Sequence, residues 1–393
     1  MPSPHDVACV TYFPAAVTGR GPSYSCASIL RAFPDAGLRT LLVAPVVRIQ
    51  SPPGVEPREA MPRPLRALPR RFARRFDTTA ATGRMLRRAA RELDGPRVAY
   101  FWPDPPVELV RFAREQGFVT VREMINTTRG SAKRVLDAEY RRIGLEPQHG
   151  ISAESAERER EELAEYDYVF ASNPVVEASL AEAGIPAHRV VPTSFGWSPE
   201  RFPATVGTER SGAGSGAEDA EGVEALYVGR VCVRKGAHLL LEAWDKAGLP
   251  GTLTLTGHVE PALAGQVEAA VASGRVRHLP YVDDVNRLYR SADFFVFPTL
   301  EEGGPQVTYE AAGCGLPVVT TPAGAARLVV DDETGYVVDP SVESLVVAMT
   351  RLAASPELRR RLGAAAAEDA RRFDYRVVGR ERAQAMRQAL ESR

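Results

Sequence analysis

The sequence predicts an α/β fold of two doubly wound domains, each built on a parallel sheet covered by helices on both faces. Three observations lead there. Short apolar runs alternate with helical or polar segments along both halves of the chain. A stretch of small and acidic residues, GTERSGAGSGAEDAEG at 207–222, separates the halves and has too few apolar side chains to bury a core. A chain of 393 residues also exceeds the size at which a single core usually keeps growing.

In the first half, the apolar run 7–13 is followed by the loop TGRGPS (18–23), which contains Gly19 and Gly21, and then by a helix-like segment over about 24–33. Further buried strands are expected at 40–46, 97–102, 118–122, 168–172 and 189–194, and a solvated helix at 153–166 with i,i+4 pairs such as Glu154 with Arg158. In the second half the strand candidates are 224–229, 252–257, 276–280, 293–299, 317–321 and 335–338. Ser355-Pro356-Glu357 has the capping side chain, proline and acidic first turn of a helix start, and residues from Tyr375 to Ser392 continue as a helix. The expected organisation is a first domain at 1–206, a linker or insertion at 207–222, a second domain at 223–374 and a terminal helix at 375–393.

Composition narrows the class. Hydrophobic content of 44% and charged content of 25% are ordinary globular values, and a net charge of -1 recruits no polyanion. Cys9, Cys26, Cys232 and Cys314 show no C-x-x-C spacing, so neither a disulfide framework nor a zinc ribbon is expected. The first residues lack a basic region followed by a long apolar run, and no membrane-spanning run occurs, so a cytoplasmic protein is expected, as monomer or homodimer.

Doubly wound domains bind ligands in loops that follow strands. The loop of YVGRVCVRKGAH (227–238) places Arg230 and Lys235 between Gly229 and the start of a helix. That arrangement fits a phosphate or diphosphate site, and it fits equally a turn with two solvated cations. The stretch EEGGPQVTYEAAGCG (301–315) puts Glu302 in a loop and Glu310 about one turn inside the helix that follows. Carboxylates accept pairs of sugar hydroxyls but repel a diphosphate. Gly303 and Gly304 would let a ligand approach the backbone closely. Cations at one end and carboxylates at the other match a nucleotide sugar; the other reading is an exposed loop acid and a solvated helix acid.

Together, G-R-x-x-x-x-K-G (229–236), E-x(7)-E (302–310) and A-G-C-G-x-P-V-V (312–319 with Ala311 before it) resemble the retaining glycosyltransferases of family 4, glycosyl transferases group 1, which have the GT-B fold of two facing Rossmann-like domains. The resemblance covers most of 224–340 and continues more weakly through TGRGPS and 166–196. It implies a terminal helix that crosses back to the first domain. It also implies that Arg230 and Lys235 hold the donor diphosphate with Gly229, that Glu310 binds the ribose, and that Glu302 with the amides of Gly303, Gly304, Pro305 and Gln306 contacts the transferred sugar. Gly19 and Gly21 occupy the place of the family's first glycine loop. Members often carry a His after the strand that here reads FVTVREMIN; this chain offers Glu123 and Asn126 instead, and His149 is no obvious replacement.

The implied reaction is same-face transfer to a hydroxyl acceptor, with cations doing the work of a divalent metal, so neither cofactor nor metal is expected. Asp283-Asp284 and Asp331-Asp332 read as helix-start and loop acids. A sugar phosphorylase is the alternative enzyme. Nucleic-acid binding is disfavoured by the near-neutral charge and by the lack of interleaved aromatic platforms. An arginine-rich stretch from Arg63 to Arg91, with Leu65, Leu68, Phe72 and Phe76 at helical spacing, reads either as a basic surface for anionic lipid or a phosphorylated acceptor, or as a solvated helix.

Overall fold

A computed structural model describes residues 7–62, 78–93, 95–203 and 222–392. The linker expected at 207–222 falls outside these except for Gly222, as do Arg63 to Arg75 and the four apolar positions 65, 68, 72 and 76.

The first sheet contains β1 (Val7–Tyr12), β2 (Leu38–Ala44), β3 (Val55–Glu59), β4 (Arg97–Phe101), β5 (Val119–Glu123), β6 (Tyr168–Ala171) and β7 (Val190–Pro192), in the order β3-β2-β1-β4-β5-β6-β7. Every pairing is parallel, with Val7 opposite Leu38 and Ala8 opposite Arg97. Helices cover both faces, which is why the central strands are apolar runs rather than alternating ones. Only β3 was illegible: VEPRE is polar, carries Pro57, and is tolerated because it lies at the sheet edge. The first helix, Pro22–Leu30, begins earlier than expected because Pro22 can occupy its first turn, and gives way to turns before Phe33.

The second sheet contains β8 (Val223–Val228), β9 (Gly251–Thr256), β10 (Val276–Leu279), β11 (Phe294–Phe297), β12 (Val318–Thr320) and β13 (Gly335–Val337), again all parallel, in the order β10-β9-β8-β11-β12-β13. In both sheets the order reverses beside the first strand. The switch points lie between β1 and β4 and between β8 and β11, where loops leave in opposite directions and open a crevice.

The terminal helix, Tyr375–Glu391, packs on the first domain. Its Arg382 forms a two-pronged ion pair with Glu123 at the end of β5, at 2.8 and 3.0 Å, and donates to the Ser194 carbonyl at 2.6 Å. Arg382 is 1% and Glu123 0% exposed, and the Tyr100 hydroxyl also donates to the Glu123 carboxylate. Gly379 lets the helix sit against helix 22–30, since a Cβ there would lie 2.5 Å from the Ile29 carbonyl oxygen. The crossing point is a two-stranded clasp, in which Trp197 N–H donates to the Phe373 carbonyl and Tyr375 N–H to the Trp197 carbonyl, both at 3.0 Å.

Candidate functional site

The two loops singled out in the second half flank one switch point: residues 229–236 follow β8 and residues 298–305 follow β11. The first loop turns through a short 3-10 segment, Val233–Lys235, and at Gly236 the backbone has φ 67°. Glycine is required there, because a Cβ would fall 1.9 Å from the Pro298 carbonyl oxygen. The loops are also tied directly: the Arg234 carbonyl accepts from Leu300 N–H at 2.9 Å and from the Thr299 hydroxyl at 3.2 Å.

This apposition puts Lys235 against Glu302 as an ion pair, with Lys235 7% and Glu302 9% exposed. The ammonium also lies 5.4 Å from the centre of the Phe297 ring. Burial, then the neighbouring Arg234, push Lys235 down from the ordinary 10.5 to about 7, while the Glu301 charge works in the opposite direction. The expected separation of cations from carboxylates is therefore corrected. Lys235 and Glu302 touch because the two strand-end loops cross at the switch point. Glu302 also accepts from the Gly303 N–H at 3.2 Å.

Glu310 lies in the helix Gln306–Gly313, buried rather than solvated, and accepts from the Tyr289 hydroxyl at 3.2 Å. Burial raises its carboxyl above the ordinary range, against the attraction of Arg201 from the preceding crossover. Pro305 stands at the N-cap of the same helix, and the Gln306 side-chain amide donates to the Tyr375 hydroxyl at 2.7 Å.

Gly303 and Gly304 have a different role from the one expected. A Cβ on Gly303 would fall 2.2 Å from the Ile125 backbone carbon, and one on Gly304 would fall 2.1 Å from the Phe195 ring. The Gly303 carbonyl accepts from the Ser172 hydroxyl and, at 2.9 Å, from the Asn173 amide. In this closed arrangement the two glycines admit the first domain, not an open approach to the loop backbone.

A cavity of about 620 Å³ opens at the end of β8, lined by Gly229, Arg230, His258, Pro280, Tyr281 and Val285 among others. The β8 loop runs alongside the β9 loop there, with Val231 bridged to Val259, and Val259 lines the cavity. Tyr281 at its rim is 60% exposed. Arg230, exposed in the same loop as Lys235, is one of the residues lining this cavity.

The first-domain candidates separate. Gly19 and Gly21 lie in the loop after β1, where Gly21 caps helix 22–30. Asn126 sits at the domain junction, with its amide 3.4 Å from a Glu301 oxygen. Glu123 is no acceptor-side group: both of its carboxylate oxygens are occupied by Arg382 and its exposure is nil. His149 pairs with Asp137 at 2.8 Å, in a loop beside the helix Arg129–Arg142. Asp284 caps the helix Val285–Ser291. Asp331 accepts from Val337 N–H, and Asp332 faces Arg351 and Arg361. Among the described residues no cluster of three or more His, Cys, Asp or Glu is arranged to hold a metal ion.

Two residues of the site went unread in the sequence. Glu301 is buried and accepts from Thr127 N–H at 3.0 Å, from the Thr127 hydroxyl at 3.1 Å and from Arg234 at 3.0 Å. The doubled acid of LEEGG was the only signal for it, and nothing in the spacing announced that Arg234 would face it.

Residues 222–355 match the family model described as glycosyl transferases group 1. The chain is 35% identical over 173 residues to a phosphatidyl-myo-inositol mannosyltransferase of Mycobacterium leprae, covering 40% of this chain and 44% of that protein. It is 31% identical over 165 residues to a sulfoquinovosyl transferase of Arabidopsis thaliana, covering 39% and 31%. The alignments thus span less than half the length of these relatives. Among solved structures, a sucrose-phosphate synthase from Thermosynechococcus elongatus superposes with a TM-score of 0.75 at 21% identity, over 98% of this chain and all of that one. The HepE protein of Anabaena, solved with UDP and glucose, superposes at 0.69 with 17% identity over 97% of this chain and 99% of that one. The architecture is the GT-B fold.

Proposed function

From a second domain that is a member of the glycosyl transferases group 1 family, we propose that the chain transfers a glycosyl group, with retention, from a nucleoside-diphosphate sugar to a hydroxyl acceptor. The observation that carries this reading is the pairing of Lys235 with Glu302 where the β8 and β11 loops cross, with Arg230 of the same loop lining a cavity at the end of β8. A diphosphate brings negative charge to Lys235 and Arg230. Lys235 then exchanges its Glu302 partner for phosphate oxygens, and Glu302 becomes free to accept hydrogen bonds from hydroxyls of the transferred sugar. Glu310, one turn further along its helix, takes the ribose hydroxyls.

The reaction breaks the bond between the anomeric carbon and the diphosphate oxygen and forms a bond from the acceptor oxygen to that carbon on the same face. The acceptor proton passes to the departing diphosphate oxygen, so no protein base is needed and the burial of Glu123 costs nothing. Charge stabilisation falls to Lys235 and Arg230, which requires no divalent ion. Product analysis with a panel of nucleotide sugars and simple hydroxyl acceptors tests the reading. UDP-glucose is the first donor to screen, since the HepE structure holds UDP and glucose. The anomeric configuration of the product decides retention, and a product that forms only with free phosphate as acceptor would move the assignment to a phosphorylase.

Peripheral attachment to a cytoplasmic anionic membrane face belongs to the same reading. Among the described residues no helix is long and apolar enough to cross a membrane. Helix Thr78–Glu92 exposes Arg84, Arg87, Arg88 and Arg91, although Arg88 pairs with Glu92 at 2.5 Å and Arg87 stacks on Phe112. Sedimentation with anionic liposomes decides; binding no stronger than to neutral liposomes removes the membrane.

A further inference from the structure

We propose that Glu301 is a positioning residue of the donor site, coupling the electrostatics of the Arg234–Lys235 turn to closure of the first domain onto it. Nothing in the motif spacing assigns it a role. Its carboxylate is 2% exposed and lies where three segments meet: the β11 loop that bears it, the turn after β8, and residues 126–127 between β5 and helix 129–142. One oxygen accepts from the Thr127 backbone N–H and hydroxyl, at 3.0 and 3.1 Å; the other accepts from Arg234 at 3.0 Å and faces the Asn126 amide at 3.4 Å. The first-domain contacts exist only when the domains are closed. Removing Thr127 and Asn126 from this carboxylate by opening would expose it to water and weaken its hold on Arg234.

Arg234 and Lys235 are adjacent in the same short turn, and a diphosphate needs the second of them charged. The groups that face Lys235 are Glu302 in direct contact, Arg234 and Cys232 from its own turn, Glu301 from the β11 loop, and the ring of Phe297 beneath. Arg234 disfavours the ammonium and Glu301 favours it. By neutralising Arg234, Glu301 leaves Lys235 as the cation available for exchange from Glu302 to phosphate. A second tie holds the same turn: Glu260 accepts from Val233 N–H and from the Tyr140 hydroxyl of helix 129–142, both at 3.0 Å. Of these carboxylates it is Glu301 that pairs with Arg234, at 3.0 Å.

The inference rests on the donor-site reading, and two measurements separate them. The first uses the ligand-free full chain: the pH dependence of Lys235 acetylation by acetic anhydride, followed by mass spectrometry, in wild type, Glu301→Gln, Arg234→Met and the double variant. Glu301→Gln keeps the side-chain volume and an accepting oxygen for Thr127 but leaves Arg234 unopposed. Its Lys235 midpoint is expected about one unit lower, the usual size of a nearby charge effect. Adding Arg234→Met is expected to restore it. The second measurement is binding of UDP and GDP by calorimetry. Relative to wild type at the same pH, Glu301→Gln is expected to bind roughly tenfold more weakly at pH 8 but within about twofold at pH 5.5, the ratio that follows from a one-unit shift. The double variant recovers most of the pH 8 loss. A Lys235 midpoint that Glu301→Gln leaves in place, or a loss equal at both pH values and not rescued by Arg234→Met, overturns the role of Glu301. A wild-type chain that binds neither nucleotide overturns the donor-site reading instead, and the ligand-free labelling still decides Glu301.

Discussion

Lys235 and Glu302, from loops on adjacent strands β8 and β11, form a buried ion pair at the switch point of the second sheet. The pair is poised rather than inert. Burial and Arg234 push Lys235 down from 10.5 to about 7, and its partner can be replaced by a more strongly charged ligand.

Nucleotide binding is expected to take up a proton above neutral pH. Free Lys235, held at about 7, is mostly neutral at pH 8, whereas Lys235 facing a diphosphate is charged. Binding at pH 8 therefore takes up close to one proton, and binding at pH 6, where Lys235 is already charged, takes up little from this residue. Calorimetry in buffers of different ionisation enthalpy measures this, and equal uptake at the two pH values would contradict the assignment.

Removing Glu123 is expected to destabilise the fold rather than alter acceptor use. Glu123→Ala strands Arg382 in a site of negligible exposure, and breaking such a buried pair typically costs about 3–5 kcal/mol. Glu123→Leu combined with Arg382→Met is expected to recover most of that loss. Chemical denaturation of the three variants checks it; a Glu123→Ala chain as stable as wild type would remove the anchoring role of the terminal helix.

Gly303→Ala is expected to hold the domains apart. The added methyl would lie 2.2 Å from the Ile125 backbone, and a collision with backbone cannot be relieved by a rotamer change. Small-angle scattering is expected to show a larger radius of gyration together with lost turnover. Wild-type scattering and turnover would mean that the closed contact is dispensable.

If, as proposed, Lys235 and Arg230 supply the positive charge, transfer is expected to survive chelation. Turnover measured in EDTA, with and without added magnesium or manganese, checks this; loss in EDTA and recovery with either ion would reassign the charge stabilisation to a metal.

In the second half the edge strand β10, buried only at Val276, was marked by its place between turns, while β11 and β12 were legible because they are buried throughout and therefore read as apolar runs. β3 was not, since a polar edge strand with Pro57 lacks that pattern. The motif spacing brought Lys235 and Glu302 into one site, but their contact depends on two loops crossing, which no local periodicity encodes. Glu123 was misread for a similar reason. Its burial comes from Arg382, a partner at the far end of the chain, and a lone acid after a strand looks the same whether it meets a substrate or a guanidinium. Gly303 and Gly304 show the ambiguity of glycine pairs, which permit the approach of a ligand and the approach of a neighbouring domain equally well.

The central claim is that a nucleoside-diphosphate sugar reacts at Lys235. The most direct measurement is nucleoside-diphosphate release from a panel of nucleotide sugars by the wild-type chain and by Lys235→Ala, with circular dichroism confirming that the variant is folded. The expected result is release from at least one sugar by wild type and a rate lower by roughly 10²- to 10³-fold in the variant, the usual loss when a group stabilising transition-state charge is removed. A folded Lys235→Ala chain that turns over at the wild-type rate would contradict the account.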